Sequence, residues 1–158
     1  MEDVKVRVPA GLGAEALEVA ELYQRVLGAW NRRSAADFAA LFAEDGSVVG
    51  FDGSQMNGRA AIAAELGRIF ADHRTGAYVG IVRDVRWLSP EAALLRAVGG
   101  LVPDGKHELN PAANSIQSLV AARTAGAWQI VHYTNTPAQF HGRPDLAEAL
   151  SAELRQLL

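Results

Sequence analysis

The 158 residues amount to one domain, and 49% hydrophobic against 21% charged residues is enough apolar content to bury a core. A net charge of −3 and a pI of about 5.8 exclude binding driven by nucleic-acid phosphates, which needs a basic face. The absence of cysteine excludes disulfides, thiol catalysis and cysteine metal sites.

Residues 1–13 read as a flexible arm with Pro9, Gly11 and Gly13 as breakers. This stretch lacks the apolar core of a signal peptide, and no later run approaches the roughly 20 apolar residues of a membrane span. A soluble cytoplasmic protein is therefore expected. From Ala14 to Arg33 the pattern is a long helix with Val19, Leu22, Tyr23, Val26, Leu27 and Trp30 on one stripe. Ser34, with Asp37 three residues on, caps a short helix over 35–42. Glu44-Asp45-Gly46 ends it, and Ser47 to Phe51 reads as a short strand. Asp52-Gly53-Ser54 and Asn57-Gly58 are turn signals. Asn57 is placed to cap a helix from Arg59, whose apolar stripe is Ile62, Leu66, Ile69 and Phe70.

Ala77 to Leu88 alternates as a strand, with Arg83 and Asp84 on opposite faces, so one of them points inward unless the strand bulges. Ala92 to Val102 is a second long strand, in which Gly99-Gly100 reads as a bulge or bend. A polar loop runs from Pro103 to Ala113. Asn114–Thr124 and Ala127–Thr136 form a hairpin turning at Ala125-Gly126. Residues 143–158 make an amphipathic helix that packs on a single domain over 14–142. Helices first and strands afterwards imply an α+β class.

Several motifs resemble the nuclear transport factor 2-like superfamily, which includes ketosteroid isomerases, scytalone dehydratase and SnoaL-like polyketide cyclases. They are Trp30, Asp37-Phe38, Leu41-Phe42-Ala43-Glu44-Asp45-Gly46, Gly58-Arg59-Ala60-Ala61-Ile62 and Gly126 to His132. The run His132 to Thr136, HYTNT, looks closest to small SgcJ/EcaC-type proteins of enediyne biosynthesis. The resemblance covers roughly residues 14–140. It implies a cone-shaped fold: a strongly curved antiparallel sheet, helices closing an internal pocket, and a homodimer formed through the outer sheet face.

Aligned on Glu44-Asp45-Gly46, the isomerase base position falls at Gly50, the tyrosine position near Val26, and the acid position near Gln117 or Ser118. None of the three residue types is retained. Asp52, two residues past Gly50, is a substitute base or a plain turn residue. A tight turn at Ala125-Gly126 pairs Arg123 with Trp128 and sets Leu119 opposite His132. Gln117, Trp128 and His132 then share one face, assigned to the pocket unless a bulge intervenes.

His132 is the leading catalytic candidate, since a histidine exchanges protons near neutral pH; its alternative is a satisfied core histidine. Gln117 can orient a ligand carbonyl. Trp30, Tyr78 and Trp128 offer flat apolar walls, or plain core packing. The histidines lack metal-ligand spacing, and no metal or cofactor is expected.

Two functions stand side by side. One is an enzyme or accessory factor of secondary metabolism that cyclises, dehydrates or isomerises a hydrophobic polyketide or polyene. The other is a non-catalytic carrier that shields such a molecule, working beside biosynthetic enzymes. A third reading is a dimeric interaction module.

Overall fold

The computed structural model describes residues 4–158. The chain forms β1 (Val6–Arg7), α1 (Ala14–Asn31), α2 (Ala35–Ala40), β2 (Phe42–Val49), β3 (Gln55–Asn57) and α3 (Arg59–Asp72). It continues as β4 (Ala77–Ser89), β5 (Ala92–Val102), a 3₁₀ turn at Pro111–Ala113, β6 (Ser115–Thr124), β7 (Ala127–Pro137) and α4 (Pro144–Arg155). All the strands join one sheet in the order β1-β4-β5-β6-β7-β2-β3.

The sheet is mixed rather than antiparallel: β1 runs parallel to β4, and β2 parallel to β7. Strands joined by short turns run antiparallel, as β4 with β5 and β6 with β7 do, and β5 with β6 is antiparallel across the longer loop of residues 103–114. Neither β1 nor β2 reaches its partner by a short turn, so that constraint does not apply to them. The amino-terminal segment is also not a free arm throughout. Val6 and Arg7 pair with Gly80 and Ile81, and Gly80 N donates to Lys5 O at 3.1 Å. Val4, Val6 and Val8 pack against the core, which gives this segment its apolar anchor. Residues 1–3 of the expected arm lie outside the described residues.

Ser34 Oγ accepts a hydrogen bond from Asp37 N at 3.2 Å and starts α2, which ends at Ala40. The strand that follows begins at Phe42, five residues before the expected Ser47. Between Phe42, opposite Ile130, and Ser47, opposite His132, the register shifts, and the acidic stretch occupies the irregularity. Arg59 Nε donates to the Phe42 carbonyl there at 2.9 Å. Asn57 does not cap α3; it pairs with Ser47, and Gly58 at φ +98° stands at the cap position.

Two β-bulges decide which side chains face inward. On β4, Val82 opposes Ala97 and Asp84 opposes Arg96, so Arg83 is the extra residue. Val82 and Val85 therefore both pack on the inner core. Arg83 and Asp84 both point outward, Arg83 Nη2 to Glu153 Oε1 at 2.7 Å and Asp84 Oδ1 to Arg96 Nε at 3.0 Å. On β7, Ile130 opposes Ala121 while His132 opposes Val120, leaving Val131 extra.

The inner core joins α1, through Val19, Tyr23, Val26 and Leu27, to Leu95, Leu119, Ile130 and Tyr133 of the sheet; α3 adds Ile62 and Leu66. On the outer face Leu150 and Leu154 of α4 pack against Val79, Ile81 and Val98.

Gly99-Gly100 is not a bulge, because Gly80 opposes Gly99 and Val79 opposes Gly100 in unbroken register. The glycines make room instead. A Cβ on Gly99 would lie 2.6 Å from Gln117 Nε2, and one on Gly80 would overlap the Tyr23 hydroxyl. Gly80→Ala is accordingly expected to destabilise the fold by about 1–3 kcal/mol through overpacking. Gly67→Ala, in the middle of α3 with nothing within 4 Å of the new methyl, should stabilise it. That gain is about 0.5–1 kcal/mol from helix propensity. Urea denaturation of both proteins checks the pair, and a Gly80→Ala protein as stable as wild type would refute the packing argument.

Candidate functional site

A cavity of about 340 Å³ opens between α1, α3 and the concave face of the sheet. Its apolar wall comes from Leu27 and Trp30 of α1, Phe38 of α2, Val48, Met56, Leu66 and Ile69. Leu27 and Trp30 lie one and two helical turns beyond Tyr23, so the same α1 stripe that fills the core runs on into the cavity. The turn between β2 and β3 forms the rim, with Gly50, Phe51, Asp52 and Ser54. Tyr78, Tyr133 and Asn135 form the polar wall.

Tyr78 is held by both backbone and ring. Asn31, the last residue of α1, accepts from Tyr78 N at 2.8 Å and donates to Tyr78 O at 3.0 Å. Trp30 meets the Tyr78 ring edge to face, with centroids 5.7 Å apart, and Phe70 likewise at 5.1 Å. The Trp30 indole N–H donates to Gly76 O at 3.1 Å.

A hydrogen-bonded chain runs behind the polar wall. Tyr23 Oη donates to Gln117 Oε1 at 2.5 Å, Gln117 Nε2 to Asn135 Oδ1 at 3.1 Å, and Asn135 Nδ2 to Tyr78 Oη at 2.9 Å. Tyr23, Gln117 and Asn135 are all buried. Burial pushes the Tyr23 phenol far above its ordinary value of 10.0, and the neighbouring Tyr78 adds to this. Burial does the same to Tyr133, helped by Tyr23 and Tyr78. Tyr78 is also raised by burial, against a smaller opposing effect from the Asn135 hydrogen bond.

The residues singled out from the sequence fall in different places. Trp30 and Tyr78 line the cavity, and Asp52 stands at its rim. Asp52 is an exposed turn residue. Its Oδ1 accepts from Ser54 N at 2.9 Å, and hydrogen bonds from Ser54 hold its carboxyl below the usual range. That makes it a weak base. Gln117 faces inward but sits behind Asn135, with its amide engaged by Tyr23 and Asn135.

His132 is turned away. The bulge at Val131 sets Tyr133, not His132, opposite Leu119, so the expected face is inverted at this point. On the outer face His132 Nδ1 lies 2.7 Å from Ser47 Oγ. Trp128 does pair with Arg123, but beside the turn at the far end of β7. It packs on Trp87, with centroids 5.8 Å apart, and under the Arg123 guanidinium at 5.4 Å, clear of the cavity.

Sequence reasoning missed Tyr23, Tyr133 and Asn135. Tyr23 carried one usable signal: a phenol on an otherwise apolar helix stripe needs a buried partner. Tyr133 and Asn135 were hidden by the bulge.

The model of the SnoaL-like domain matches residues 14–134, and the chain belongs to that family. No curated protein matches it in sequence. A solved domain of unknown function with a cystatin-like fold, from Nostoc punctiforme, is 27% identical, with 92% of this chain and 93% of that chain covered and a TM-score of 0.74. A putative calcium/calmodulin-dependent protein kinase type II association domain from Thiobacillus denitrificans is 19% identical, with coverage of 76% and 94% and a TM-score of 0.67. A ketosteroid isomerase-like protein from Erwinia carotovora atroseptica is 16% identical, with coverage of 81% and 99% and a TM-score of 0.62. The last two share the fold alone. The fold is thus the cystatin-like, nuclear transport factor 2-like α+β architecture with a curved mixed sheet. Among the described residues no helix is long and apolar enough to cross a membrane.

The chain's three tyrosines are Tyr23, Tyr78 and Tyr133, and all three are held protonated. A raised phenol value favours the folded state below the unfolded value of about 10, and that stability is lost as pH rises through the folded values. A spectrophotometric titration should therefore show no phenolate near pH 10 while the circular dichroism stays native. Phenolate should then appear together with alkaline unfolding. A phenolate band growing in near pH 10 with the fold intact would show that the wall is not sealed.

Proposed function

We propose that this protein binds a hydrophobic small molecule in the concave cavity and holds it there, as a carrier or accessory factor rather than as an acid–base catalyst. The carrying observation is the composition of the cavity wall. Most of its lining is apolar, and Tyr78, Tyr133 and Asn135 add neutral polar groups, the usual make-up of a small-molecule site. At about 340 Å³ it falls at the lower end of the roughly 300–1,000 Å³ typical of such sites.

Cyclisation, dehydration or isomerisation needs a base that reaches the ligand. Among the described residues the one carboxylate lining the cavity is Asp52, at the rim, ionised and bonded to its own turn. His132 faces the other side of the sheet. Family membership supports the ligand-binding part of this reading. The ligand class we favour is a polyketide- or polyene-type intermediate of secondary metabolism, and the resemblance of HYTNT to enediyne-cluster proteins motivates that choice. A cytoplasmic homodimer, paired through the outer face of β6, β7 and β2, belongs to the same proposal. That region lies beside the part of the outer face where α4 packs.

Fluorene, a neutral tricyclic hydrocarbon, is a suitable probe, and native mass spectrometry reads its adduct. Ile69→Trp, which fills the cavity, should weaken fluorene by about tenfold or more, whereas His132→Gln should leave its affinity unchanged. Equal binding by wild type and Ile69→Trp would remove the cavity as the site. A loss of binding in His132→Gln would return the outer face to consideration.

A further inference from the structure

The chain of hydrogen bonds behind the cavity wall has a direction, and burial sets it. Either of two orders is self-consistent for two phenols joined through two carboxamides. In one, every donor points from Tyr23 towards Tyr78; in the other, every donor points back. In the second order the Tyr23 proton would need a separate acceptor. Tyr23 is fully buried, its hydroxyl against Gly80, where water does not reach it. In the first order the spare proton is that of Tyr78, which borders the cavity. An unmatched donor is tolerable only at the end that meets a cavity, so the donors run Tyr23 to Gln117 to Asn135 to Tyr78.

Resting on the cavity reading above, we infer that this relay selects the polar group of the ligand: a neutral molecule presenting a carbonyl-type acceptor to the Tyr78 hydroxyl. The Tyr78 oxygen already accepts from Asn135, so its proton is directed elsewhere. Hydrogen bonds in series polarise one another, which strengthens the terminal donor. No Arg, Lys or His lines the cavity among the described residues, and Asp52 at the rim is ionised, so an anionic ligand finds no counter-charge. A ketone, lactone or quinone satisfies the wall; a carboxylate does not. Tyr23 and Gln117 never touch the ligand. They are positioning residues, which fix the orientation of the Asn135 amide and through it the direction of the Tyr78 proton.

The test compares three probes of one shape: fluorene, 9-fluorenone and 9-fluorenol. Wild type should bind fluorenone about tenfold more tightly than fluorene, and more tightly than fluorenol. The infrared carbonyl stretch of bound fluorenone should lie below its position in an apolar solvent. Tyr78→Phe should abolish both the preference over fluorene and the infrared shift. Tyr23→Phe removes the donor that orients Gln117, so the amides can reverse. The fluorenone-to-fluorenol affinity ratio should then fall several-fold with fluorene still bound, which lost packing alone would not produce.

A ratio unchanged in Tyr23→Phe overturns the role of the relay. An unshifted carbonyl stretch in wild type overturns it without any variant, should Tyr23→Phe fail to fold. If fluorene binds and fluorenone gains nothing over it, the cavity stands and the acceptor preference falls. If none of the three probes binds, the cavity reading itself falls.

Discussion

A single buried contact, the Tyr23 phenol against the Gln117 amide, sets the spacing of helix and sheet on which the cavity depends. A phenol on the apolar stripe of α1 must find a partner inside the protein, because burying it unpaired costs roughly 1–3 kcal/mol. The partner is on β6, reached across the concave face. The approach is possible because Gly80 and Gly99 are opposite each other and carry no side chains to fill that space. With Tyr23 seated, the helix continues along the sheet, and Leu27 and Trp30 reach the cavity as part of its wall. The cavity is the space left by that geometry. Asn31 then closes the arrangement by binding the backbone of Tyr78, so both ends of the relay are held by the same helix.

The two bulges play a complementary part. A strand alternates its faces with period two, so one extra residue exchanges inside for outside beyond it. On β4 this exchange lets two valines face the core and sends Arg83 and Asp84 to the outer face, where each meets an opposite charge. On β7 it brings Tyr133 and Asn135 to the cavity and turns His132 towards Ser47. One bulge thus keeps charge out of the core, and the other puts neutral polar groups into the cavity.

The family's fold is retained here, and the chemistry of its interior is set by this chain's own side chains. Gly50, where the resemblance to isomerases would require a carboxylate base, brings no side chain to the rim. Val26 is buried, and the nearest phenol, Tyr23, is almost one turn earlier on α1 and pairs with an amide rather than a carboxylic acid. Amides do not ionise near neutral pH, and burial holds the phenols protonated. Among the described residues, the wall behind the rim therefore presents neutral polar groups: the amide of Asn135 and the phenols of Tyr78 and Tyr133. A shared fold would not have revealed this, since the fold fixes where a pocket lies and the side chains fix its chemistry.

What could be read from the residues in order was local. The stripe of α1, the Ser34 cap, the stripe of α3 and the turn that pairs Arg123 with Trp128 each depend on residues within a few positions of one another. The family motifs carried the fold class. The site was only partly legible: Trp30 and Tyr78 could be named as candidate walls, but the polar wall was assigned to the wrong side of β7. The parallel pairings of β1 and β2 were equally out of reach, because no short turn announces them. The sequence by itself determined the helices, the hairpin and the family. The tertiary structure alone decided strand direction at the two parallel pairings and the side of the sheet on which Tyr133, Asn135 and His132 fall. A one-residue slip is nearly silent in local propensity. It is settled only when Tyr133 and Ile130 together find room against α1, and His132 does not.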